Sequence, residues 1–166
     1  MMKKLLLSLL VLAGVGNCVV INAAENSAEK KVAPAVKAAA VEKKWYTNLT
    51  EAMEKARQEK LPILVLATGS DWCPPCKRLE KEIFSKDAFY KSAAGKVVLV
   101  KADFPRRRPQ TAAERKQAEA IARQFEVEAF PTVLLLNSDG KVLDKQVGYR
   151  RVAPQNYLES FKGFKK

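Results

Sequence analysis

The sequence contains no histidine, and that absence removes whole classes of chemistry. Without an imidazole there is no Cys-His or Ser-His nucleophile pair, no His-ligated metal and no imidazole proton shuttle. Chemistry is left to cysteines, carboxylates, lysines and the backbone. Cysteine is scarce too: the 166 residues include only Cys18, Cys73 and Cys76. A structural zinc needs four ligands, and with no second cysteine pair no metal site is expected. No nucleic-acid motif accompanies the 30 Lys and Arg residues, which exceed 18 acidic residues to give a formal charge of +12. These cations are spread along the chain, so they read as charge that keeps a domain soluble, and no nucleic-acid partner is expected. No internal repeat is visible. With 48% hydrophobic residues, the length suits one domain of ordinary size, expected to be a monomer.

What is present begins with an export signal over residues 1–24. Lys3 and Lys4 precede an apolar run from Leu5 to Val15, followed by a more polar stretch ending Asn22-Ala23-Ala24. Cleavage near Glu25 is the first expectation. An uncleaved anchor and lipid attachment at Cys18 are the alternatives. Asn17 counts against both, since it interrupts the apolar run and is a poor neighbour for a lipidated cysteine. In each case the lysines stay inside and the rest of the chain faces outward, in the periplasm or beyond. Membrane association follows only if the segment is retained or lipidated.

Residues 25–44, rich in Ala, Lys, Glu and Val and without an aromatic residue, read as a flexible linker. The folded domain is expected over residues 45–166, starting near Trp45. Asn48 caps a helix with Glu51 three residues later, and Lys60-Leu61-Pro62 ends it. Ile63 to Ala67 is a short branched apolar run that reads as a strand buried on both faces. After Cys76, Leu79, Ile83 and Phe84 predict an amphipathic helix, and Val97 to Ala102 a second buried strand. Phe104 to Pro109, which contains Arg106-Arg107-Arg108, is a loop. Thr111 to Gln124 is a helix, Thr132 to Leu136 a strand, and Ser138 to Lys141 a tight turn. Val142 to Val147 alternates apolar and polar residues as an edge strand does, and a last helix runs from about Pro154 to Phe161. This order predicts an α/β fold of three layers, α/β/α. Its mixed central sheet would end in a C-terminal antiparallel hairpin.

Cys73-Pro74-Pro75-Cys76 sits where the first buried strand meets a helix. The thiolate is the nucleophile in thiol exchange, and a helix N-terminus favours it through unpaired N–H groups and the helix dipole. The second cysteine, one turn on, reaches back to close a small ring, and proline is tolerated because first-turn amides have no intrahelical partner. A fixed structural disulfide is the bland alternative, but so short a loop staples little.

Trp72-Cys73-Pro74-Pro75-Cys76-Lys77 after a buried strand, with Phe130-Pro131-Thr132 opening a later one, resembles the thioredoxin superfamily over about residues 45 to 162. The stretch Gly69 to Glu80 is most similar to the exported members related to soluble domains of bacterial thiol:disulfide interchange proteins. The resemblance implies that Cys73 attacks, that buried Cys76 resolves, and that Pro131 is a cis-proline facing the pair. It further implies substrate binding by Trp72, Phe130 and Pro131. Protein thiols or disulfides would be the substrates and a recycling redox partner would be required, with no cofactor beyond the Cys73-Cys76 disulfide.

Two positions depart from thioredoxin itself. Ala67 stands six residues before Cys73, where thioredoxins carry a buried aspartate that assists proton transfer. Lys101 matches the family's lysine near that acid and is a candidate for proton-transfer or thiolate support, with Asp71 and Glu80 as outside substitutes. Pro74 and Pro75 remove two amides from the neighbourhood of the Cys73 sulfur, which raises its pKa and makes the pair more reducing. Lys77 and Arg78 push the other way, and the balance leans toward a reductase or isomerase. Two rivals are a redox-inert module that binds clients and a membrane-tethered electron relay for one partner. The arginine triplet reads first as solvated charge and second as a docking surface for an acidic partner or anionic lipid.

Overall fold

The computed structural model describes residues 43–164. Residues 1–24, nearly all of the expected linker, and Cys18 lie outside the described residues.

Trp45 opens the ordered core, its indole N–H donating to the Tyr90 hydroxyl at 2.9 Å. Tyr46 then joins the sheet edge through a parallel bridge to Val100. Helix α1 (Leu49–Glu59) starts at Asn48, whose side chain accepts from the amides of Thr50 and Glu51. Strand β1 (Ile63–Thr68) follows, then α2 (Pro74–Leu79), a π-helical turn (Glu80–Phe84) and α3 (Asp87–Ala93). Strand β2 (Val98–Asp103), α4 (Ala112–Gln124), β3 (Thr132–Leu136) and β4 (Val142–Val147) complete the regular elements. Thr111 caps α4 in a reciprocal box with Glu114.

The sheet order is β2-β1-β3-β4. β1 pairs parallel with β2 and antiparallel with β3, and β3 pairs antiparallel with β4, so the sheet is mixed and ends in the expected hairpin. Alternation along the strands sends side chains to two cores. On one face Leu64, Leu66, Leu99, Val133 and Leu135 pack with the π turn, α3 and Tyr157. On the other Ile63, Val65, Val100, Leu134 and Leu136 pack with Ala52 and Ala56 of α1 and Ala118 and Ile121 of α4. All six residues of β1 are buried, as a central strand covered on both sides requires. The result is the three-layer α/β/α arrangement.

Four local features differ from the sequence reading. Between Phe84 and Val97, where no element is expected, lies α3, with Phe89, Tyr90 and Ala93 buried. The helix after Cys76 widens into the π turn, which turns both Ile83 and Phe84 inward. Phe84 there meets Trp45, Phe89 and Tyr157 edge-on, with centroids 5.2, 4.9 and 5.4 Å away. The expected last helix is two 3-10 turns, Pro154–Asn156 and Leu158–Ser160. There the Ser160 hydroxyl donates to the Tyr157 carbonyl at 2.7 Å, a local bond that competes with a continuous helical ladder. β4 also inverts its expected pattern. Val142, Leu143 and Val147 are exposed while Gln146 is buried and donates to the Ser160 carbonyl at 2.9 Å.

Candidate active site

β1 delivers the chain to the site, and Gly69 lets it turn. The Gly69 carbonyl accepts from Trp72 N–H at 3.3 Å and Cys73 N–H at 3.0 Å, a tight turn that ends in the first cysteine. Glycine is needed there for a steric reason. A Cβ on residue 69 would lie 2.5 Å from the Trp72 indole, which lies against this backbone.

Cys73 is the N-cap of α2, with Pro74 and Pro75 in the first turn. Its sulfur is joined to that of Cys76 in a disulfide with Cα atoms 5.2 Å apart. Both cysteines are buried, at 4% and 2% exposure, so access to the sulfurs is governed by the side chains around them. Lys77 N–H donates to the Cys73 carbonyl at 3.1 Å. With prolines at 74 and 75, the Cys76 amide is then the one first-turn donor left for the sulfur.

The second wall is the loop before β3. The Phe130-Pro131 peptide bond is cis. Thr132 hydroxyl donates to the Ala129 carbonyl at 2.7 Å and Gly148 N–H to the Pro131 carbonyl at 2.7 Å, which tie this loop to β3 and to the end of β4. The Phe130 carbonyl oxygen lies 3.7 Å from the Cys73 sulfur. Once the disulfide opens, a Cys73 thiol can donate to that carbonyl, whereas a thiolate would face its lone pairs.

Trp72, next to Cys73, and Phe130, before the cis proline, meet edge-on with ring centroids 6.0 Å apart. Phe104 stacks on Phe130 at 4.9 Å, and its carbonyl accepts from the Trp72 indole N–H at 2.7 Å. The Arg106 guanidinium lies 3.7 Å over the Trp72 ring. Asp71 holds this loop in place. Its carboxylate accepts from the backbone N–H groups of Arg106, Arg107 and Arg108 at 2.7 to 3.2 Å. Those amide bonds, that of Arg106 first, pull its pKa from 3.8 to about 2. Asp71 is therefore an anchor for the arginine loop, with its lone pairs already committed. Arg108 is engaged as well, by Asp103 and by the Ser70 hydroxyl at 2.9 Å.

Cys73, Cys76, Trp72, Phe130 and Pro131 are thus gathered around one disulfide, while Lys101 is engaged by Glu80. Its ammonium lies 3.4 Å from Glu80 Oε2, an ion pair between β2 and the start of the π turn. Ala67 pairs with Ala102 and Thr132 in the sheet interior, buried among small neighbours. Among the described residues no group of three or more acidic or cysteine ligands is placed to hold a metal. Sequence reasoning missed the roles of Gly69, Asp71, Phe104 and Arg106. The one available signal was the juxtaposition of a lone acid beside Trp72 with a proline-flanked arginine loop.

The thioredoxin-like domain model matches residues 49–162. The chain belongs to the thioredoxin-like family. It is 34% identical over 95 residues to the thioredoxin-related protein DsbJ of Chlamydia pneumoniae, covering 57% of this chain and 27% of that protein. It is 30% identical over 105 residues to the disulfide bond reductase DsbH of the same organism, covering 63% of each. The chain thus spans less than two thirds of the length of these two relatives. A solved structure of a DsbH oxidoreductase superposes with a TM-score of 0.64 at 27% identity, covering 70% of this chain and 79% of that one. The thioredoxin-like fold and the similarity to bacterial Dsb proteins therefore rest on sequence and structure together.

Proposed function

We propose that the protein is an extracytoplasmic thiol-disulfide oxidoreductase of reductase or isomerase type, with Cys73 as the attacking and Cys76 as the resolving cysteine. The observation that carries the reading is the Cys73–Cys76 disulfide at the start of α2, its outer sulfur 3.7 Å from the carbonyl that precedes a cis proline. In the reduced protein the Cys73 thiolate attacks one sulfur of a substrate disulfide, forming a mixed disulfide and releasing the other substrate sulfur as a thiolate that takes up a proton. Cys76, losing its proton, then attacks the Cys73 sulfur. The second substrate thiol leaves and the Cys73–Cys76 bond closes. Two electrons have passed to the substrate, and a dithiol partner must return them. No cofactor takes part.

Substrate is held by Trp72, Phe130 and the backbone beside Pro131, where an extended segment can pair with the exposed main chain. The reducing direction is supported by the donors near the sulfur. Pro74 and Pro75 supply none, Lys77 N–H is taken by the Cys73 carbonyl, and the Phe130 carbonyl favours a thiol over a thiolate. A less stabilised thiolate means a more stable disulfide and a lower potential. With alanine at 67, Lys101 and Glu80 are the ionisable pair we assign to proton-transfer support. Glu80 lies one turn after Cys76 in the same run of helix. Export is inferred from Lys3, Lys4 and the apolar run behind them.

Reduction of insulin disulfides with dithiothreitol as electron source tests the activity. The chain accelerates it, Cys73→Ser abolishes the acceleration, and Cys76→Ser accumulates a mixed disulfide with substrate visible on a non-reducing gel. A wild-type chain no faster than dithiothreitol alone overturns the reading.

A further inference from the structure

The exchange chemistry leaves the arginine loop unexplained, and its placement is specific. Arg106, Arg107 and Arg108 are not a free-floating basic run, because Asp71 fixes all three through their backbone amides. Arg108 spends its charge on Asp103. The Arg106 guanidinium lies over the ring of Trp72, the residue next to Cys73 in the chain. Arg107 is exposed and has no ion-pair partner among the described residues. On the neighbouring helix Lys77 and Arg78 are exposed just beyond Cys76. The loop before Phe130 carries two exposed acids, Glu126 and Glu128, which subtract from this field. Exposed cations therefore stand both on the loop packed against Trp72 and on α2 just beyond Cys76.

We propose that this frame selects substrates: the protein acts on disulfides flanked by aspartate or glutamate, with Arg106 and Arg107 receiving acidic side chains of a polypeptide seated beside Pro131. The inference rests on the exchange activity proposed above and adds the substrate class. A field of one sign at the mouth of a site raises the encounter rate of oppositely charged partners, an effect that falls with salt. The rigidity of the frame favours a peptide over a membrane. Lipid-binding basic segments are clusters of four to eight cations, whereas here the loop backbone is pinned by Asp71, Arg106 lies over Trp72 and Arg108 is paired with Asp103, which leaves Arg107 as the one guanidinium of the triplet without an ion-pair or ring partner among the described residues.

The test compares two cystine-linked peptides of equal length, one with Asp and Glu on both sides of the cystine and one with Ser and Gln. Each is reduced by the full chain at low and at physiological salt. The acidic peptide is expected to show about tenfold higher kcat/KM at low salt, the ratio shrinking severalfold at physiological salt. In the double variant Arg106→Gln, Arg107→Gln the ratio falls toward one, and in Arg106→Lys, Arg107→Lys most of it returns. Because each ratio is internal to one preparation, partial misfolding does not imitate the result. Equal rates for the two peptides in the wild type overturn the inference while leaving the exchange activity standing. No reduction of either peptide overturns both. A ratio unchanged in the glutamine variant removes the role of these arginines. Binding to phosphatidylglycerol vesicles that depends on the two arginines and erases the peptide preference makes the frame a lipid site and also overturns the inference.

Discussion

Asp71 shows how much of this site depends on one carboxylate whose oxygens are bonded to backbone amides. It gathers three consecutive amides, and through them sets Arg106 on Trp72 and Phe104 against Phe130. Its pKa is held at about 2, below the ordinary 3.8. A lowered pKa means that the stabilisation is complete above about pH 4 and is lost as pH falls through 2. NMR amide shifts of Arg106 to Arg108 in an acid titration are expected to move with a midpoint near 2. A midpoint near 3.8 contradicts the anchoring role. The cysteine pair stood out in the sequence because two cysteines two residues apart at a strand-to-helix junction have few other uses, whereas Trp72, Phe130 and Pro131 were singled out only by the resemblance to the thioredoxin superfamily. The anchoring role of Asp71 was not legible. An acid beside a cysteine reads as a proton-transfer group, and its partners are backbone amides more than thirty residues away, which carry no side-chain signature.

Among the elements, the run from Cys73 to Ala93 departs most from what periodicity suggests. Leu79, Ile83 and Phe84 fit a helix on paper, yet burying both Ile83 and Phe84 against the sheet takes a wider turn than an α-helix provides. Widening it brings Phe84 into a cluster with Trp45, Phe89 and Tyr157. Replacing Phe84 with Ala is expected to cost about 3 to 5 kcal/mol in denaturant unfolding, the range for a buried aromatic. A loss under about 1 kcal/mol would show that this turn does not anchor the helical layer. Helix α3 escaped notice because seven residues with apolar positions at Phe89, Tyr90 and Ala93 are too few to establish a period. The strands were readable for the opposite reason. β1 and β3 are central and buried on both faces, so nearly every residue is apolar, and their limits fall at Thr68-Gly69 and at Pro131. β4 was placed correctly but its faces were not. As an edge strand it exposes Val142, Leu143 and Val147, and it buries Gln146 against a 3-10 turn that only the tertiary fold brings there.

For the molecule as a whole, the sheet is a platform with two covered faces, and the exchange site lies where the strand ends meet α2. One end of β1 supplies the turn to Cys73, the start of β3 supplies the cis peptide, and the end of β2 leads into Phe104 and the arginine loop. Three adjacent strand ends thus converge on one disulfide, so the distance between Cys73 and the Phe130 carbonyl is set by the sheet itself. The proposal that this pair cycles, and cycles at a reducing potential, is tested most directly by equilibrating the chain in dithiothreitol and glutathione buffers of graded potential and counting free thiols by alkylation and mass. The account predicts a single two-electron transition of Cys73 and Cys76 with a midpoint near that of thioredoxin, about −270 mV. A pair that stays oxidised throughout, or a midpoint near the about −120 mV of a dedicated disulfide donor, would contradict it.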